Sequence, residues 1–250
     1  PEVWVLVSQK ARIMVKHGKR YRTAIADFDQ QGMYEPGEAI AIVKKMAGSK
    51  FDETVELHLR TNADPRHADQ MVRGVTSLPH GLGKPSRVLV FAQGDAARQA
   101  QNAGADYVGD DDLIEKIEGG WVDFDVAIAT PDMMGKIGKL GRVLGRRGLM
   151  PNPRTGTVSQ PQDVGRTVDE AKGGRVEFRM DRTAIIHVSI GKASFEDDQL
   201  LNNMAALMDA INQQRPSAVK GSFIKTAFLN STMGPSVRLD LPSTLAMKIA

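Results

Sequence analysis

The 250-residue sequence contains no cysteine. That excludes a disulfide framework, a thiolate metal site and a cysteine nucleophile, and it fits a reducing cytosol. Aromatic residues make up only 5% of the chain, too few for a broad base-stacking surface. No apolar run approaches the roughly 20 residues of a membrane-spanning helix. The run Val3 to Val7 is too short for a secretory core, and its basic residues follow rather than precede it. Acidic residues are missing from Met133 to Gln162, where six Lys or Arg stand. What is present is ordinary for a soluble globular protein: 41% hydrophobic and 25% charged residues.

The net charge of +3 conceals segregation. Pro1 to Arg22 carries six Lys or Arg against Glu2. Ala92 to Asp132 carries ten acids against Arg98 and Lys116. Separate basic regions suit a polyanion, because local rather than total charge attracts phosphate. A solvated charged surface is the competing reading of each run. The stretch Lys139 to Val158 holds five Lys or Arg, four Gly and two Pro, and reads as a basic loop.

Hydrophobic periodicity gives two styles of element. Thr54 to Arg60 alternates as a strand with Val55, Leu57 and Leu59 on one face. Pro36 to Gly48 places Ile40, Val43 and Met46 at helical spacing. From Arg87 the pattern changes. Arg87–Ala92 and Phe124–Thr130 are short apolar runs, as in strands buried on both faces of a parallel sheet. Helices are expected at Asp95–Ala103 and Asp111–Glu118, with a strand at Asp106–Val108 between them. After Gly173-Gly174 the alternating style returns. Arg175–Met180 and Ala184–Ile190 read as antiparallel partners around Asp181-Arg182. Leu200, Met204, Leu207, Met208 and Ile211 form one helical stripe ended by Pro216, and Ser222–Asn230 and Ser236–Leu241 read as closing strands.

The fold class expected is therefore α/β with α+β, in two domains. Residues 1–79 and 174–250 form a discontinuous α+β domain, and residues 80–173 form an inserted Rossmann-like three-layer α/β domain. The crossings near Ser77–Pro85 and Ala171–Arg175 are glycine-rich and suit a hinge. One mixed domain is the alternative.

Enzyme signatures fail in detail. Gly145 is followed by Arg-Arg-Gly and Gly135-Lys136 by Ile137, so no phosphate loop is formed. The turn after Arg87–Ala92 has a single glycine where a dinucleotide site needs several. Asp110 to Asp112 suits helix capping and dipole compensation better than a cation site. The five histidines are scattered, none has metal spacing, and His187 reads as a sheet residue. No cofactor, metal site or catalytic residue is assigned.

Two clusters suit RNA. Lys50 and Phe51 precede a strand whose outward residues include Asp52, Thr54 and Glu56, a set able to meet phosphate, ribose and 2′-hydroxyl. On composition alone, core packing is the favoured role of Phe51. The second cluster is Asn230 to Arg238, where Ser231 and Thr232 offer hydroxyls, Met233 an apolar contact and Gly234-Pro235 a tight turn. Its alternative is an ordinary loop. A nucleotide-dependent enzyme and a module whose acidic segment Asp95–Asp132 docks a basic protein are competing readings of the whole chain.

Longer motifs then carry a family resemblance. Met133–Val158 (MMGKIGKLGRVLGRRGLMPNPRTGTV) resembles the signature of the bacterial-type large-subunit ribosomal protein L-one family, the protein of the mobile ribosomal stalk. Lys16–Tyr21 (KHGKRY), Lys50–His58 (KFDETVELH), Ser77–Lys84 (SLPHGLGK), His187–Phe195 (HVSIGKASF) and Ser231–Arg238 (STMGPSVR) resemble the same family in the same order. The match covers about Lys16 to Leu239. The resemblance implies the two-domain fold above, no catalysis and a cytoplasmic, ribosomal location. It implies binding to the stalk junction of large-subunit rRNA, assistance to the release of deacylated tRNA from the exit site, and repression of the protein's own operon mRNA. By position its main RNA surface carries to Lys50, Phe51, Thr54, Glu56, Ser231, Thr232, Met233 and Gly234, with Arg182 and the basic segment Lys16, His17 and Lys19. Arg142, Arg146 and Arg147 are expected to make secondary contacts with RNA or tRNA. The family begins near Met14, so Pro1 to Ile13 reads as an extra leader. Pro242 to Ala250 matches no motif.

Overall fold

The computed structural model describes residues 18–247. The leader, Lys16 and His17 lie outside the described residues. In chain order the elements are α1 (Lys19–Ala26), α2 (Pro36–Met46), β1 (Thr54–Thr61), β2 (Arg73–Ser77), β3 (Val88–Phe91), α3 (Gly94–Asn102), β4 (Tyr107–Gly109), α4 (Asp111–Glu118) and β5 (Val126–Ala129). They continue with α5 (Met134–Ile137), α6 (Gly141–Arg147), α7 (Val164–Lys172), β6 (Arg175–Arg179), β7 (Ile185–Lys192), α8 (Asp197–Gln213), β8 (Ile224–Ser231), β9 (Val237–Arg238) and α9 (Leu241–Ala246).

The first sheet is antiparallel, in the order β7-β1-β8-β9. Its inward residues are the alternating positions the sequence marks. Val55, Leu57 and Leu59 of β1, Ile186, Val188 and Ile190 of β7, and Ala227 and Leu229 of β8 share one core with Ile40 and Val43 of α2 and with Leu200, Met204, Leu207 and Ile211 of α8. Burying such side chains stabilises by roughly 1.5–3 kcal/mol each. Helix α8 starts at a capping box in which the Glu196 N–H donates to Gln199 Oε1 (3.1 Å). The opposite sheet face carries Glu56, His58, Asn230 and His187 and is only partly covered.

Residues 88–171 build two further cores. The parallel sheet β4-β3-β5 splits its side chains by strand alternation. Leu89 and Phe91 face Leu113, Ile117, Ile137, Leu140 and Leu144, whereas Val88 and Val90 face Ala96, Ala100, Val164 and Val168. Both faces are covered, as continuous apolar strands require.

The chain passes between these regions twice. The two passes touch at Gly81 and Gly174, both with positive φ (66° and 97°). A Cβ on Gly174 would lie 2.3 Å from the Gly81 Cα. The fully buried Asn203 of α8 pins the crossing: its Oδ1 accepts from the His80 N–H (3.0 Å), and its Nδ2 donates to the Gly81 and Ile190 carbonyls (3.0 and 2.8 Å).

Several expectations are corrected. Strands β6 and β7 are not hairpin partners. β6 pairs with β2, β7 pairs with β1, and a single bridge, Met180–Ile186, links them. Ala184 sits in the left-handed region (φ 63°), and the Asp181 carboxylate gathers the Thr183 and Ile185 N–H groups (both 2.8 Å), so the chain leaves the turn in another direction. The basic stretch is helical from Met134 to Arg147, whereas Gly148 to Val158 is the expected loop apart from a single turn at Pro153–Thr155. Ile137, Leu140 and Leu144 recur at three- to four-residue spacing and are fully buried, while Gly135, Gly138, Gly141 and Gly145 have open space at the Cβ position. Asp110 precedes α4 without a side-chain capping bond and instead accepts from Gln93 Nε2 (2.9 Å). Asp111 and Asp112 do occupy the first turn, where they complement the helix dipole. The last strand is only two residues long, because Asp240 then caps α9 by accepting from the Ser243 N–H (3.1 Å).

Candidate nucleic-acid interface

The register of the first sheet brings the start of β1, the end of β7 and the end of β8 to one edge. Thr54 lies opposite Lys192, and Val55 opposite Ser231. The two clusters distant in sequence are stitched together there. The Thr54 N–H donates to Thr232 Oγ1 (2.9 Å), and the Thr232 N–H donates to the Thr54 carbonyl (3.0 Å). Lys192 Nζ donates to Thr54 Oγ1 (2.8 Å). Asp52 holds the third strand end by accepting from the Ser194 hydroxyl (2.8 Å) and N–H (3.2 Å).

Glu53 lies beneath this edge, only 2% exposed. One carboxylate oxygen accepts from the Ser49 N–H (2.9 Å), the other from the Met233 N–H (3.0 Å). Burial pushes its pKa up. The nearby Ser231 and Ser49 hydroxyls and those two N–H groups outweigh burial and hold the carboxyl below its ordinary value. The carboxylate thus orients Ser49 and Met233, which flank the two clusters.

The surface above is chemically mixed. Phe51 and Met233 are 55% and 54% exposed, so Phe51 is not a core residue. It precedes the strand, three residues ahead of Thr54, before the inward alternation that begins at Glu53. Lys50 and Thr232 are exposed, and Gly234 and Thr54 are partly so. Ser231 departs from expectation: it is 1% exposed, and its Oγ would be 2.5 Å from a Cβ on Gly234. It supports the turn from below and explains why that position is glycine. Glu56 faces His58, with Oε2 3.7 Å from Nε2. Lys19 is exposed on α1, and its neighbour Arg20 donates to the Gly48 carbonyl (3.4 Å), which sets α1 beside the Lys50 cluster. Arg182 is exposed in the turn before β7, whose Asp181 pKa is about 2 because donors from Thr183 and Ile185 overcome burial. Arg142, Arg146 and Arg147 are exposed on α6, which packs within the residue 88–171 region.

An exposed aromatic, a flexible apolar side chain, cations and hydroxyls surround a rigid backbone turn, and such a mixture has the chemistry to meet sugar, base and phosphate. Comparison with known proteins gives the family. The profile of the ribosomal protein L1p/L10e family matches residues 43–235. The chain belongs to that family. Three relatives are each described as large ribosomal subunit protein uL1. One from Dehalococcoides mccartyi is 58% identical over 94% of this chain and 99% of its own length. One from Chloroflexus aggregans is 57% identical over 94% and 100%, and one from Thermomicrobium roseum is 58% identical over 93% and 97%. This member of the L1 family is accordingly a structural, non-enzymatic protein of the large subunit of the cytoplasmic ribosome.

Sequence reasoning missed Glu53, Lys192 and Asn203. Glu53 left a signal, since an acid stood on the inward phase of an alternating strand. The roles of Lys192 and Asn203 depend on partners more than 100 residues away.

Proposed function

We propose that the edge formed by Lys50, Phe51, Thr54, Thr232, Met233 and Gly234 binds the stalk junction of large-subunit rRNA, with Lys19 at its margin and Ser231 supporting it, while Arg182, beyond the opposite end of β7, makes a separate contact. We further propose that residues 80–173 move as a separate body about Gly81 and Gly174 against residues 1–79 and 174–250. In this reading the chain assists the release of deacylated tRNA from the exit site, aided by Arg142, Arg146 and Arg147, and represses its own operon mRNA through an RNA copy of the same site.

The observation that supports the platform most is the pairing of Thr54 with Thr232 beneath two exposed apolar side chains, Phe51 and Met233. Apolar groups left in water beside cations gain most when a ribose or base covers them. Base stacking is worth about 1–3 kcal/mol per base. The test is binding of the full chain to a large-subunit stalk RNA fragment. Thr232→Ala with Met233→Ala should weaken it at least about tenfold, equivalent to about 1.4 kcal/mol. Unchanged affinity in a folded double variant would refute the platform. For the second region, the Arg142→Ala, Arg146→Ala, Arg147→Ala variant should flatten the salt dependence of binding by about 0.7 per lost single-strand phosphate contact. An unchanged slope would remove that RNA from its partners. A longer exit-site tRNA residence on ribosomes carrying the variant would support the tRNA role.

A further inference from the structure

The sheet register places His58 of β1 opposite His187 of β7 on the partly open sheet face. The rings meet edge to face at a centroid distance of 4.9 Å, and the two Nδ1 atoms are 2.8 Å apart. Each far nitrogen faces a carboxylate. His58 Nε2 is 3.7 Å from Glu56 Oε2, and His187 Nε2 is 3.6 Å from Asp181 Oδ2.

A neutral imidazole carries one N–H and one lone pair. If both protons sit on Nε2, where the carboxylates favour them, two Nδ1 lone pairs crowd one gap, 2.8 Å apart. If one moves to Nδ1 and makes the hydrogen bond, that ring turns an Nε2 lone pair toward a carboxylate. Among these three contacts every neutral arrangement leaves one repulsive; Asn230 is a further hydrogen-bond partner of the His58 ring. A single cation seated to one side of the gap, where both Nδ1 atoms can face it, relieves the repulsion.

We propose that His58 and His187 form a two-imidazole site for a divalent transition-metal ion, with copper(II) or nickel(II) favoured. Carboxylates on the non-ligating nitrogens are the usual means of fixing tautomer and ring orientation in metal-binding histidines. With metal–nitrogen distances of about 2.0–2.1 Å, the 2.8 Å separation subtends about 86° at the ion. That is the cis angle of a square-planar or octahedral ion. Tetrahedral zinc would need the nitrogens about 3.3 Å apart, a ring movement of about half an ångström. Among the described residues no group of three His, Asp or Glu side chains is placed to hold a metal, so water completes the coordination. His187 is exposed on an edge strand, which leaves the ion reachable. This inference stands independently of the RNA reading.

The test is calorimetric titration of the metal-free full chain with nickel chloride at neutral pH, repeated on His187→Ala, His58→Gln and His67→Ala. One saturable ion per chain is expected. It should weaken at least tenfold in His187→Ala and His58→Gln and remain unchanged in His67→Ala. Because His187 is exposed, its variant should keep the wild-type circular dichroism spectrum, which separates loss of a ligand from loss of fold. Copper(II) paramagnetic resonance should show coupling to two nitrogens. Absence of saturable binding, or binding that persists in both His58→Gln and His187→Ala, would overturn the site. So would nitrogen-15 spectra in which excess nickel(II) neither shifts nor broadens the signals of either ring, since a proton alone would then occupy the gap.

Discussion

Replacing Glu53 by Gln tests how the edge proposed to bind RNA is held. The substitution keeps the side-chain shape and removes one acceptor and the charge. Glu53 satisfies the Ser49 and Met233 N–H groups with separate oxygens. Gln has one oxygen, so one N–H must face an amide NH2 in a place only 2% exposed. A hydrogen bond to a charged group contributes about 1.5–3 kcal/mol, and an unsatisfied buried donor costs a similar amount. The expected loss is about 2–3 kcal/mol. With a urea slope of about 2 kcal/mol per molar, the midpoint of the transition involving this region falls by about 1 M. The sign of the pH dependence follows from the depressed folded pKa. The Glu53 contribution is present above the ordinary value of 4.5 and is lost as pH falls through the lower folded value. The gap between wild type and Glu53→Gln should therefore be full at pH 7 and close on acidification. Urea melts followed by circular dichroism across that range measure it. An unchanged midpoint at pH 7, or a gap that does not narrow in acid, would refute the role assigned to this carboxylate.

Phe51→Ala removes an exposed ring, so stability should stay within about 0.5 kcal/mol while stalk-RNA affinity drops by about 1–3 kcal/mol; parallel melts and binding curves separate the two. Gly174→Ala forces a Cβ to 2.3 Å from the Gly81 backbone at φ 97° and should destabilise by more than about 2 kcal/mol. Gly148→Ala, with φ 72° and open space, should cost only about 1–2 kcal/mol; equal losses in thermal melts would show that the crossing is not tight. Asp125 is hydrogen-bonded to Lys84 (3.0 Å) and to the Arg87 N–H (3.1 Å), with the Lys84 bond the main cause of its lowered pKa. Asp125→Asn should cost less than about 1 kcal/mol at neutral pH, and the difference should vanish as pH falls from 3.8 through the lower folded value, as urea midpoints at several pH values would show.

Local pattern was sufficient for elements whose cause is local. The inward alternation of β1, the apolar runs of β3 and β5 and the stripe of α8 reappear because strand and helix periods dictate which side chains share a face. The basic stretch around α6 misled because glycine content outweighed the Ile137, Leu140, Leu144 spacing that buries this segment. Phe51 misled because composition favours burial of a ring, whereas its place before the strand leaves it outside the alternation.

By itself the sequence determined the two styles of structure, their order along the chain and, through long motifs, the family. Tertiary structure alone decided that Glu53 reaches Met233, that Ser231 lies under Gly234, that Gly81 meets Gly174, and that His58 meets His187. Apart from the local Ser231–Gly234 turn, these join residues across a sheet register or a chain crossing. Period and propensity act over a few residues, while the order β7-β1-β8 is chosen by the packing of the whole core.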